Sequence, residues 1–463
     1  MKEYIFPKKI VLSENADCDN LLEKQPLQIG LAETKLSHFE KGSFVILDFE
    51  QERCGGIRIL TFFAKKCRVR IRFGESLSEC CSQLGGKKNA TNHHSNRDFN
   101  VTLQKYSDMT FGQTGFRFVR LDFFGEATIK SVVAESHLYK DTPVYEYKGD
   151  DERIAQIFQT AKHTVDLCAS MGYLWDGVKR DRLVWIGDMH PEMLALTTLY
   201  GRVKVLEKSL DFVRDQTPLP RWMNSFPMYS MWWIIIVSDY AFETGAFDFA
   251  KKQMKYLNGL VDQMLSCVEV NGKLRYPSYF VDWPTHRKPD EKQGVRAINI
   301  MAANGAIRLL QKFNMPTAKA EELLCRLQKK PIQVRSSKQV LGLKYFVAEL
   351  SEEDKTKLIT GGAQGMSTFM SYYILKAVAS FDKAAAISMM KEYYGAMLDK
   401  GATSFWEDFD LQWVENSARI DEFPKDGERD IHGDFGAYCY KGFRHSLCHG
   451  WSAGVLRFIK EEC

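Results

Sequence analysis

The spacing of apolar residues changes once along this chain, near Gly149-Asp150, and that change limits what it can build. Before it, Cys67-Arg68-Val69-Arg70-Ile71-Arg72-Phe73 alternates apolar and basic residues, the period of a strand with one buried face. Phe44 to Phe49, Ile57 to Phe63, Gly115 to Leu121 and Ala127 to Val133 read the same way, with Gly55-Gly56 punctuating the first two. Residues 85–99 are polar and turn-rich and read as a mobile loop. After the change, Ile154, Ile157, Phe158, Ala161, Val165 and Cys168 form one stripe of a helix that Asp150 or Asp151 caps. Similar stripes run from Val203 to Val213, Ala250 to Met264, Val295 to Phe313, Met370 to Phe381 and Val455 to Ile459. The 463 residues, about three ordinary domains of ~150, are therefore read as an antiparallel β-sandwich over 1–147 and an all-α domain over 148–463. No fixed-period repeat is visible, which favours a closed toroid of helical hairpins over a solenoid.

Charge and hydropathy narrow the partners. Lys and Arg number 63 against 59 Asp and Glu, with no long basic block, so nucleic acid and membrane surfaces are not expected partners. The longest apolar run, Met231 to Val237, is far short of the ~20 residues of a membrane span and reads as a buried helix face. The first twenty residues lack the apolar stretch of a signal peptide, which implies a cytoplasmic protein as the sequence stands, or a periplasmic or secreted one if a leader was removed. Eleven scattered cysteines without C-x-x-C spacing read as single thiols in a reducing compartment. Oligomeric state is not legible.

The densest chemistry lies in Trp175-Asp176-Gly177-Val178-Lys179-Arg180-Asp181-Arg182-Leu183-Val184-Trp185-Ile186-Gly187-Asp188. A solvated loop rarely uses two Trp, and a core segment rarely uses six charges. A concave polar site with aromatic walls, the way proteins hold a sugar, uses both; a structural salt-bridge loop is the other reading. Two further clusters are Thr403-Ser404-Phe405-Trp406-Glu407-Asp408 and His445 to Ser452. Glycoside cleavage needs a carboxylic acid for the departing oxygen and a carboxylate on the opposite face of the ring, and carboxyls beside Trp are compatible with that.

Asp176-x-x-x-Arg180-Asp181-Arg182 with Trp185-x-Gly187-Asp188 resembles the signature loop of the α-L-rhamnosidase family of six-hairpin glycosidases. The resemblance continues in Thr403 to Glu407, Asp282-Trp283 and Ser446 to Trp451, and reaches Phe73-Gly74-Glu75-Ser76-Leu77 and Gly115 to Val119. It implies an (α/α)6 barrel behind the sandwich and inverting hydrolysis of terminal α-L-rhamnosides or a closely related sugar. It makes Glu407 the general base and places Asp181 at the general-acid position. Asp176, Arg180, Trp185, Asp188, Trp283, Trp406 and His449 would bind the carbohydrate, with no cofactor and no metal.

Two departures stand out. The family acid is usually Glu, whereas Asp181 is one methylene shorter and flanked by Arg180 and Arg182, whose charges would favour the carboxylate if close. The chain also stops just after the last hairpin, without the C-terminal β-domain usual in the family. Elsewhere Trp232 and Trp233 read as core, His93-His94 as plain loop, and His190-Pro191-Glu192 as a helix start rather than a metal motif. Zn motifs, phosphate-binding Gly loops and a Ser elbow are absent from the sequence. A carbohydrate-binding pseudoenzyme of the same fold and a polysaccharide lyase are the competing readings.

Overall fold

A computed structural model describes residues 2–438 and 440–463. The N-terminal strands are β1 (Lys2–Ile5), β2 (Lys9–Asp17), β3 (Ser37–Ala64), β4 (Cys67–Gly74), β5 (Asp98–Leu103), β6 (Ser107–Phe123) and β7 (Ala127–His137), with a short helix α1 (Leu77–Cys81) after β4. All their pairings are antiparallel, in the order β1-β7-β3-β6-β4-β5, with β2 also on β3. The two strands expected on either side of Gly55-Gly56 are one strand, β3. Those glycines do not interrupt it; they let its neighbours close in. A Cβ on Gly55 would lie 2.0 Å from the Glu135 carbonyl, and one on Gly56 2.3 Å from that of Gly112. Ala127 and Thr128 of β7 pair with Phe39 and His38 near one end of β3 and with Ala64 and Phe63 near the other, so the sheet curls back on itself. Val45, Leu47, Ile57, Ile59, Val69, Ile71, Phe73 and Phe116 fill the space it encloses.

A second, larger core belongs to the helices. Asp151 caps α2 (Glu152–Cys168), its carboxylate accepting the amides of Arg153 and Ile154. There follow α3 (Met189–Tyr200), α4 (Lys204–Gln216), α5 (Pro227–Thr244), α6 (Phe247–Ser266), α7 (Glu291–Lys312), α8 (Ala318–Gln328), α9 (Lys338–Tyr345), α10 (Glu352–Ile359), α11 (Ser371–Ala379), α12 (Lys383–Asp399) and α13 (Val455–Glu462). Alternate members α3, α5, α7, α9, α11 and α13 each pack on the next, and α13 returns to α3. Trp232 and Trp233 of α5 are core, as expected. The helical part was expected to lack strands; it has one two-residue parallel pair, β8 (Ser417–Ala418) with β9 (Arg429–Asp430). Among the described residues no helix is long and apolar enough to cross a membrane.

Polar contacts join the sheet to the helical loops. The Lys179 ammonium, in the loop before α3, stands 3.1 Å from both Glu75 and Glu79 and donates to the carbonyls of Phe443 and His445. Glu75 in turn accepts from the Ser446 hydroxyl (2.9 Å) and the Leu447 amide. Gly115 of β6 makes the approach possible, since a Cβ there would meet the Lys179 amide nitrogen at 2.8 Å. Arg117 makes a second tie, reaching Asp48 on its own sheet and Asp421 and the Gly401 carbonyl beyond.

Removing the Lys179 charge leaves two buried carboxylates facing each other. Lys179→Met should therefore cost about 3–5 kcal/mol of unfolding free energy, read by denaturant titration. A loss below about 1 kcal/mol, the value of a surface pair, would show that this contact does not hold the two parts together.

Candidate active site

The loop from Ala169 to Asp188 and the two loops before α13 meet at one end of the helices. Gly177 forms an isolated β-bridge with His449, and the Asp176 carbonyl accepts the Gly450 amide at 2.7 Å. The Asp176 carboxylate accepts the Leu183 amide at 2.9 Å, which folds the loop over its own beginning. His449 is thereby centred on three carboxyls. Its Nε2 lies 3.5 Å from Glu407, 3.9 Å from Asp188 and 4.0 Å from Asp176.

Arg180 links the two proposed catalytic carboxyls. One of its amino nitrogens donates to both oxygens of Glu407 at 2.7 Å, and the other lies 2.9 Å from Asp181. Its Nε donates to the Arg444 carbonyl, and its plane lies over Tyr440 at 4.4 Å. Glu407 also accepts the Ser446 amide. The sequence left open whether both flanking arginines approach Asp181. Arg182 turns away, donating to the Gln113 and His94 carbonyls. Asp181 instead meets His94, whose Nδ1 is 3.1 Å from it. His94, read as plain loop, thus sits beside Asp181. Segment 85–97 is also pinned: Asn92 accepts the amides of Arg97 and Asp98, and Lys88 pairs with Asp430.

Burial dominates the electrostatics. It pushes Asp176 and Asp188 well above the usual carboxylate range, each helped by a neighbouring carboxyl, Asp181 for the first and Asp176 for the second. Glu407 is raised by burial and held back by Arg180. His449 is driven well below its usual value by burial and then by Arg180, which keeps it neutral. Behind them Glu192 of α3 is fully buried, one of its oxygens lacks a hydrogen-bond partner, and burial raises it too. Gly450 makes room for it: a Cβ there would sit 1.8 Å from that oxygen.

The aromatic residues divide. Trp185 lies edge-on to Tyr229, which touches Phe280, which touches Trp283, so the two expected wall residues belong to one aromatic run. Trp283 stacks on Tyr438. Trp406 is different: it is fully buried, edge-on to Phe409, and presents no ring face to a ligand. The cleft beside Glu407, walled by Asp282, Trp283, Phe369, Tyr438, Tyr440 and Trp451, holds about 20 Å³, close to the room one water needs.

Two clusters have the geometry to hold a cation. Asp176, Asp188 and His449 offer ligand atoms within 4.8 Å of one another, as do Glu75, Glu79 and His432. In the second cluster the Lys179 ammonium already supplies the positive charge. The sequence named Glu75, His94 and Glu192 without giving them a place in the site, and Tyr440 not at all; folding brings them there.

The fold defines the class: the chain has the fold of the α-L-rhamnosidases. A rhamnosidase from Klebsiella oxytoca with rhamnose bound superposes over 100% of this chain and 96% of its own, with a TM-score of 0.76 and 18% identity. A GH78 family rhamnosidase of Bacillus sp. GL1 matches over 95% of this chain with a TM-score of 0.70 and 17% identity, and the α-L-rhamnosidase of Dictyoglumus thermophilum over 99% with 0.67 and 15%. Of those two larger proteins the chain spans about half, 48% and 51%. No protein-family model and no curated protein sequence matches the chain.

The raised Glu192 carboxyl has a signed consequence. The folded state holds its proton more tightly than the unfolded state, so stability from this group falls as pH rises from the unfolded value, ~4.3, toward the folded one. Glu192→Gln should be more stable than wild type at pH 8, with the gain shrinking toward pH 4–5 in thermal melts. A difference that does not vary with pH would mean that Glu192 titrates alike in both states.

Proposed function

We propose that the chain is an inverting glycoside hydrolase that removes terminal α-L-rhamnosyl residues, or those of a closely related sugar. In this reading residues 148–463 form an (α/α)6 barrel, the ring of α3, α5, α7, α9, α11 and α13 being its inner wall, and residues 1–147 form a β-sandwich. The observation that carries the proposal is the single guanidinium of Arg180 reaching both Asp181 and Glu407. Spanned by one guanidinium, the two carboxyls stand within about 8 Å of each other, compatible with the ~6.5–9.5 Å of inverting enzymes. The rhamnose named for the Klebsiella oxytoca structure supports the choice of sugar.

Glu407 takes a proton from a water whose oxygen attacks the anomeric carbon. Asp181 gives its proton to the glycosidic oxygen as that C–O bond breaks, and the sugar leaves with inverted configuration. Asp176, Asp188 and His449 hold its hydroxyls, and Trp185 and Trp283 wall the approach. Asp181 and Arg182 both adopt left-handed backbone, at φ 51° each. Such a conformation costs about 1–2 kcal/mol per residue and clusters at functional sites. It supports a loop that is bent to advance a side chain one methylene shorter than Glu. The pseudoenzyme reading has one observation in its favour: Asp181 lies 2.9 Å from the Arg180 guanidinium, a charge that favours the carboxylate over the protonated acid. Turnover of an aryl α-L-rhamnoside, with the product anomer followed by NMR, separates the two readings.

Glu407→Gln should keep fold and sugar binding yet lose several orders of magnitude in kcat, because water activation acts only in the transition state. A variant within about tenfold of wild type would remove Glu407 from the mechanism. Asp181→Asn should be nearly inactive on an alkyl or sugar rhamnoside but keep measurable activity on a dinitrophenyl rhamnoside, whose leaving group needs no proton. Equal losses on both substrates would show that the proton comes from elsewhere.

A further inference from the structure

Asp181 ends each turnover of the proposed reaction as a carboxylate and has to regain a proton before the next. Its surroundings leave few routes. Oδ2 lies 2.9 Å from a guanidinium nitrogen of Arg180, and a guanidinium does not give up a proton in a protein. Oδ1 is shut off from solvent and makes no hydrogen bond among the described residues. The ionisable group placed against that oxygen is His94, whose Nδ1 stands 3.1 Å away.

His94 connects this buried oxygen to water. Its side chain is 41% exposed, against 13% for Asp181. With Asn92, Asn96, Gln113 and Arg182 it lines an open cavity of about 460 Å³, which shares no residue with the Glu407 cleft. The loop is built to keep the ring there. Its backbone is left-handed at His94, with φ 67°, and Asn92 accepts the amides of Arg97 and Asp98. Arg182 donates to the Gln113 and His94 carbonyls at 3.0 Å each. The residue after Asp181 therefore ties the acid's own loop to the loop that presents the imidazole. Around the ring, the other titratable or charged groups are Arg182, His93 with its centroid 6.5 Å away, and Arg444 bonded to His93. Imidazole is the side chain that ordinarily exchanges its proton between pH 5 and 8.

We infer that His94, a residue of the N-terminal sheet's loop, is the proton relay that recharges Asp181 between turnovers. The imidazole takes a proton from a hydronium ion or a buffer acid and becomes imidazolium. The proton on Nδ1 then passes to Oδ1 of the Asp181 carboxylate. The imidazole is neutral again, Asp181 is again an acid, and no other bond is made or broken. The inference rests on the proposed function, which makes Asp181 the acid; the contact and the exposure of His94 rest on the structure alone. His94 touches no sugar in this reading and acts through Asp181.

The test uses His94→Gln in the full chain with an alkyl α-L-rhamnoside, whose leaving group needs the proton. In dilute buffer the steady-state kcat should fall by about tenfold or more, while a single turnover with enzyme in excess, which uses the proton Asp181 already holds, should slow by about twofold at most. Added imidazole should raise the steady-state rate of the variant in proportion to its concentration and leave wild type unmoved. A steady-state rate equal to wild type, an equal loss in both measurements, or a loss that imidazole does not restore would overturn the relay and leave the proposed function standing. A wild-type protein that cleaves no rhamnoside would overturn the function, and the relay with it.

Discussion

Two consecutive cations, Lys179 and Arg180, are fixed in opposite directions by the same loop, and most of the site follows from where they point. The ammonium faces the sheet and gathers Glu75, Glu79 and two carbonyls of the loop before α13. The guanidinium faces the helices and holds Glu407 and Asp181. Because Glu75 also accepts from Ser446 and Leu447, while the Ser446 amide donates to Glu407, the sheet positions Glu407 through one short chain of hydrogen bonds. A buried charge network of this kind holds its geometry only if each member is satisfied. That requirement explains why a glycine stands at position 115, where the sheet approaches the loop.

The interior of the site is rich in carboxyls and poor in cations. Asp176, Asp188, Glu192 and Glu407 share one buried region with Arg180 as its positive charge and a neutral His449 between them. Protonated carboxyls can donate a hydrogen bond as well as accept one. The cost is a region that favours protons in the folded state.

The fold was legible wherever one face of an element is wet. Stripes announced α2, α4 and α6, and alternation announced β4 and β7. Helix α3 left no stripe because all twelve of its residues are buried, and α5 is apolar nearly all round. The Gly55-Gly56 pair was read as a break because a glycine that opens a turn and one that admits a neighbouring strand look alike in sequence. Among site residues, Asp176, Arg180, Asp188, Glu407 and His449 were found together because their local motifs concentrate charge beside Trp. Trp406 was misplaced by the same rule: adjacency to Glu407 in sequence puts its ring on the opposite side of the backbone, in the core. His94 and Glu75 were invisible as partners of the site, since only folding brings them to Asp181 and Leu447.

The bond from Leu447 to Glu75 spans 372 residues, and α13 closes the ring on α3. Contacts of such separation form late, because loop closure must precede them. As the chain leaves the ribosome, the sheet and most helices emerge before the segment that completes this end of the ring. Until that segment emerges, the ring is open at α13 and Glu75 lacks the donors of Ser446 and Leu447.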